Sequence, residues 1–127
     1  VNYKNYKVWQ KSHQYVFKMY EITQGFPKTE QFNLISQIQR ASISIHTNIA
    51  EGCGRETEKE LVRFLYIASG SAHELDYLLL VSSELGFIES KNAKKLISEI
   101  DEIKKMLAAL IRTIKASLKA ERCKLKN

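Results

Sequence analysis

Residues 61–82 read LVRFLYIASGSAHELDYLLLVS. Within this stretch Leu61, Leu65, Ala68, Ala72, Leu75, Leu79 and Ser82 recur at alternating steps of four and three residues, the spacing that holds a stripe on one side of an α-helix. Phe64 and Leu78, with Leu85 just beyond, sit beside the stripe and widen its apolar face. The same alternation returns in Leu96, Ile100, Ile103, Leu107, Leu110 and Ile114, with Ile97, Ile111 and Leu118 alongside. Two such stripes in succession argue for helices packed at about 20° in a bundle. The small residues Ala68-Ser69-Gly70-Ser71-Ala72 add a further expectation. A mid-helix glycine costs on the order of 1 kcal/mol against alanine, so a helix of this chain or of another copy is expected close against Gly70.

Working outward, two more helices precede these. Trp9, Val16, Phe17 and Tyr20 keep helical spacing with His13 among them, and Gly25-Phe26-Pro27 ends the segment. Leu34, Ile38, Ala41, Ile45 and Ile49 form the stripe of the next, which Gly52-Cys53-Gly54 breaks. Thr57 with Glu60 three residues on is a capping-box signature for the following helix. Leu85-Gly86-Phe87 marks its stop, and Ser90 is the N-cap expected for the last helix. With one proline and five glycines in 127 residues, the chain has little punctuation and needs long elements. The expected fold is all-α, an up-and-down antiparallel four-helix bundle forming a single domain over 1–127. Its helices are expected at about 6–23, 30–50, 58–85 and 91–121, with a short basic C-terminal tail.

The formal charge of +6 is unevenly placed. Residues 1–90 hold nine Lys/Arg and ten Asp/Glu, whereas 91–127 hold eleven and four. A basic stripe on one element suits a polyanion or an acidic partner; a solvated, solubilising helix face is the plainer explanation. The longest apolar run, Met106 to Ile111, is far short of the roughly 18 residues that span a bilayer, so no membrane partner is expected and the cytoplasm is the expected location. Cys53 and Cys123 lack the spacing of zinc ligands. Gln10, Ile43 and Gly70 stand three residues before His13, His46 and His73, so the Glu-x-x-His pattern of metal-carboxylate bundles is missing. No phosphate-binding glycine loop is present. No catalytic residue, cofactor or metal ligand is therefore expected, and the three histidines read as half-buried packing residues.

Gln37, Arg40, Ser44, Asn48 and Glu51 share one side of the second helix. Such a strip can bind a ligand, but it reads better as a hydrogen-bonded network between helices, because buried polar groups need partners. Glu74, after His73, is placed to complete it with Arg40.

Several strings together resemble the small four helix bundle protein family, whose members include proteins encoded in intervening sequences of bacterial 23S rRNA genes. They are Trp9-Gln10-Lys11, Phe26-Pro27-Lys28, Gln37-Ile38-Gln39-Arg40-Ala41-Ser42-Ile43-Ser44-Ile45 and Asn48-Ile49-Ala50-Glu51-Gly52. Phe64 through Ser71 with Glu74-Leu75, and Leu85-Gly86-Phe87, continue the likeness, which spans Trp9 to about Leu110. The resemblance implies a bundle that assembles as a homopentamer. It also implies kinship with the accessory protein of diversity-generating retroelements, which works with a reverse transcriptase and binds nucleic acid. His46-Thr47 stands where proline-serine is common, and Gln39 where arginine is frequent, which removes a positive charge. The resulting expectation is a non-enzymatic, oligomeric, nucleic-acid-associated protein that binds structured RNA through Lys104, Lys105, Arg112, Lys115, Lys119, Arg122 and Lys124. The alternative is a protein-interaction scaffold, or an accessory subunit of a reverse transcriptase, without nucleic-acid binding of its own.

Overall fold

The chain forms four helices: α1 (Lys7–Thr23), α2 (Leu34–Cys53), α3 (Glu58–Glu84) and α4 (Ser90–Lys126). The stripes of α2 and α3 are buried seams and that of α4 largely so, but in α1 the expected Phe17 and Tyr20 are exposed and Val8, Tyr15 and Met19 are buried instead. The computed structural model describes residues 2–126, the side chain of Lys126 excepted, and these contain no strand. Two short 3₁₀ turns, Tyr3–Asn5 and Lys28–Glu30, precede α1 and α2. Ile38, Ile45, Ile49, Leu65, Leu75, Leu79, Ile100, Ile103 and Leu107 are fully buried, and Met19 of α1 joins them. Each such side chain contributes about 1.5–3 kcal/mol by leaving water.

Neighbouring helices run antiparallel. Asp76 meets Lys104, while Tyr66, earlier in α3, meets Lys115, later in α4. Ser44 of α2 bonds Ser71 of α3, and Gly52 at the far end of α2 lies against Leu61 and Phe64. On the remaining side α1 is tied to α4: the buried Tyr15 hydroxyl donates to the Leu96 carbonyl at 2.6 Å, Lys11 pairs with Glu102, and Lys18 pairs with Glu99 at 2.6 Å. Burial first, then the nearby carboxylates of Glu99, Asp76 and Asp101, raise the Tyr15 phenol well above its ordinary range, so it stays a donor.

The helix ends follow from their residues. Thr57 Oγ1 accepts the Glu60 N–H at 3.1 Å, one half of the capping box. The Glu60 carboxylate points instead toward Arg63, 3.9 Å away. At the other end of α3, Gly86 takes φ +82. Its N–H reaches the Ser83 carbonyl and that of Phe87 reaches Ser82, both at 2.9 Å, a Schellman stop.

Three sequence expectations need correction. The second helix starts at Leu34, because Lys28–Glu30 is a 3₁₀ turn. Ser90 is already the first residue of α4, preceded by Glu89, whose carbonyl accepts the Ala93 N–H. Residues 122–126 are no tail but the continuation of α4, whose 37 residues span roughly 55 Å at about 1.5 Å each. Of the two neighbours expected for Gly70, the one inside this chain is not there, since a Cβ built there meets nothing within 4 Å, which leaves another copy. The close approach occurs at Gly52, where a Cβ would lie 2.9 Å from both Leu61 Cδ1 and Phe64 Cβ.

Between α1 and α2 the aromatic residues cluster. Trp9 stacks on His13 at 4.9 Å, and His13 meets His46 edge-on at 5.6 Å. Trp9 Nε1 and His46 Nδ1 are buried without a protein partner. Burial, with His13 adding to it, lowers the pKa of His46. His13 and His46 are half-buried as expected, but His73 is exposed on α3, its Nδ1 2.8 Å from the Ser69 carbonyl.

Candidate nucleic-acid interface

The seven basic residues singled out on α4 do not act as one surface. Lys104 is taken: its ammonium lies 2.7 Å from Asp76 and 2.9 Å from Asp101, with its side chain only 19% exposed. Burial alone would lower its pKa, but the bonds and charges of these two carboxylates outweigh that and raise it. A cation so held is a staple between α3 and α4, not a phosphate ligand. Lys105 is exposed but two turns from the basic cluster near the end of the helix. Arg112, Lys115, Lys119 and Arg122 follow at steps of three, four and three, so they share one side of α4. Lys124 comes five residues after Lys119 and two after Arg122, about 140° and 200° round the helix, and so projects from the opposite side.

The shared side faces the start of α3, because the two helices are antiparallel and paired nearly residue for residue. Lys59 and Val62 of α3 with Lys115, Ala116, Leu118, Lys119 and Arg122 of α4 line one groove of about 490 Å³. Its rim carries four cations from two helices, and its floor is apolar. No ion pair among the described residues engages any of the four. One turn along α3 stands Tyr66, 52% exposed. Its hydroxyl accepts from Lys115 Nζ at 3.2 Å, and the same ammonium lies 5.6 Å from the ring centroid. The neighbouring Phe64 is buried, flanked by Arg55 at 4.7 Å and Arg63 at 5.4 Å. Glu56, Glu58 and Glu60 share this end of the bundle, but none lines the groove. Lys59 and Tyr66 escaped the reading of the sequence, since the segment holding them is neutral overall; the signal was the antiparallel pairing that brings them to α4.

The polar strip of α2 forms only part of the expected network. Ser44 Oγ and Ser71 Oγ are 2.8 Å apart across α2 and α3, and Asn48 Nδ2 donates to the Ser44 carbonyl and hydroxyl at 2.8 and 3.0 Å. Gln37 donates to Asn33 at 2.9 Å, and Arg40 to Ser36 at 3.1 Å, both within the chain's own local turn. Glu51 and Glu74 are exposed, and no side-chain hydrogen bond or ion pair of theirs is found among the described residues. Arg40 and Glu74 line the same open groove with Phe32 but make no bond to each other. No cluster of three or more His, Cys, Asp or Glu able to hold a metal occurs among the described residues, and no helix there is long and apolar enough to cross a membrane.

Residues 4–109 match the family described as 23S rRNA-intervening sequence protein. The chain belongs to that family. The matched residues cover α1 to α3 and the first half of α4, and stop short of the basic end of α4. A crystal structure from Bacteroides thetaiotaomicron, of a protein of unknown function from the S23 ribosomal protein family, superposes with a TM-score of 0.76. It is 24% identical, over 83% of this chain and 95% of that one, and bears out the bundle fold of this family member. Among curated proteins nothing matches.

Proposed function

We propose that this family member is a non-enzymatic, oligomeric protein that associates with nucleic acid, structured RNA above all, through the joined ends of α3 and α4. The observation that carries the reading is the groove whose rim holds Lys59, Lys115, Lys119 and Arg122 with no described carboxylate paired to them. Cations left unpaired at one place are what a polyanion binds by releasing its own counterions. Lys104 and Lys105 drop out of the candidate surface, and Lys59 enters it.

Oligomerisation has separate support. Phe17, Tyr20, Phe32 and Ile43 are exposed on the α1/α2 side, while Tyr77, Leu80 and Ile67 are exposed on α3. Two distinct apolar patches suit a head-to-tail contact that closes into a ring, consistent with the pentamer that the family resemblance implies. The same patches support the second reading, a scaffold that docks a protein such as a reverse transcriptase.

The deciding experiment is a salt titration of binding to a structured ribosomal RNA fragment and to duplex DNA of similar length. Micromolar or tighter binding near about 150 mM salt, falling steeply as salt rises, is expected. Lys115→Glu with Lys119→Glu should weaken it on both ligands. No binding at low salt would remove the nucleic-acid reading in favour of the scaffold.

A further inference from the structure

The rim of the α3–α4 groove is cationic, but its floor is not. The buried Val62 and half-buried Leu118 are the apolar lining between Lys59, Lys119 and Arg122, and the exposed Tyr66 ring stands one turn further along α3, held beside Lys115. A volume of about 490 Å³ lies within the range of clefts that enclose small ligands. A surface meant only for phosphates needs no such floor. A paired duplex presents phosphates and sugars outward and keeps its bases stacked inside, so it would neutralise the rim and leave the exposed part of Leu118 and the Tyr66 ring facing water. An unpaired nucleotide carries both chemistries in one unit: an anionic phosphate for the rim, and a flat, weakly hydrated base for the floor and for the phenol ring.

We infer that the α3–α4 groove receives an unpaired nucleotide, with the base against Val62 and Leu118 toward Tyr66 and the phosphates on Lys59, Lys119 and Arg122. The inference rests on the nucleic-acid reading above and narrows its ligand to single-stranded segments, such as the loops and bulges of a folded RNA. Ribose and deoxyribose strands share this chemistry, so the sugar is settled by measurement.

The test uses the full chain and fluorescence anisotropy with a short single-stranded RNA, the same sequence as RNA duplex, and the single-stranded DNA. The single strand should bind more tightly than the duplex. Leu118→Gln, which makes the floor polar without altering the rim, and Tyr66→Ala, which removes the ring, should each weaken single-strand binding by about tenfold and leave duplex binding unchanged. Lys119→Glu with Arg122→Glu should weaken all three ligands. Equal affinity of single-stranded DNA and RNA assigns recognition to base and phosphate, whereas RNA preference adds the 2′-hydroxyl; either result is compatible with the occupant inferred. Duplex binding equal to or tighter than single-strand binding would overturn the inference while leaving the general nucleic-acid reading intact, and so would indifference of the single strand to both floor variants. Binding to phosphatidylserine vesicles that Leu118→Gln abolishes, with single-strand affinity unmoved, would assign the groove to a lipid surface instead. Binding of none of the nucleic acids would overturn both readings together.

Discussion

Two glycines of the same fold do opposite jobs. At Gly52 a methyl group would press on the Phe64 Cβ, an atom fixed to its backbone, and lie 3.3 Å from the Leu61 carbonyl. Gly52→Ala therefore forces α2 and α3 apart and should cost about 1–3 kcal/mol, read as a lower Tm in thermal unfolding. Gly70 looks more costly from sequence, being mid-helix, yet it is exposed with open space around it. Gly70→Ala should stabilise by up to about 1 kcal/mol, and a loss of stability would count against the open placement. His46 brings pH dependence. Burial, then His13, lowers its folded pKa, so below the unfolded value of about 6.5 the unfolded chain binds the extra proton. Its contribution to stability is complete above that value and is lost as pH falls toward the folded pKa. Acidification from about pH 7.5 to about pH 5 should lower Tm, and His46→Asn should shrink that drop.

At the scale of the helix, the legible parts were those with periodicity. The stripes of α2 and α3 turned into buried seams residue by residue, that of α4 did so apart from the half-buried Leu96 and Leu110, and the Leu85-Gly86-Phe87 stop took the backbone geometry that only glycine adopts freely. What stayed hidden depended on pairing between helices. Lys104 reads in sequence like any other lysine of α4, and only the register against α3 shows it bonded to Asp76. Lys59 reads as part of a neutral segment, and the same register gives it to the basic groove. Of the network candidates, Ser44 and Asn48 are hydrogen-bonded whereas Glu51 of α2 and Glu74 of α3 stand exposed, because a helix face says which residues share a side but not how far the neighbour covers it. Lys104→Ala should consequently cost about 1–2 kcal/mol, between the values for exposed and buried pairs. It should leave RNA affinity unchanged at fixed salt, whereas Lys119→Ala should do the reverse.

For the molecule as a whole, the exposed apolar residues outnumber what a lone small bundle needs. Phe32 is 92% exposed and Tyr77 64%. Light scattering at micromolar concentration should return several chain masses, five if the family resemblance holds. Phe32→Glu with Ile43→Glu should reduce that to one without lowering helix content, since Phe32 and Ile43 are outside the core. A mass of one chain for the unaltered protein would remove the ring. The distribution of charge along the bundle has a consequence for how any such assembly meets its ligand. Away from the end where α3 begins and α4 finishes, Lys and Arg nearly balance Asp and Glu. The centre of positive charge is thus displaced toward one tip of an elongated body, and the field of a polyanion exerts a torque on it before contact. Encounter is end-on by default, and a cyclic assembly of parallel copies would possess one adhesive pole and one indifferent pole.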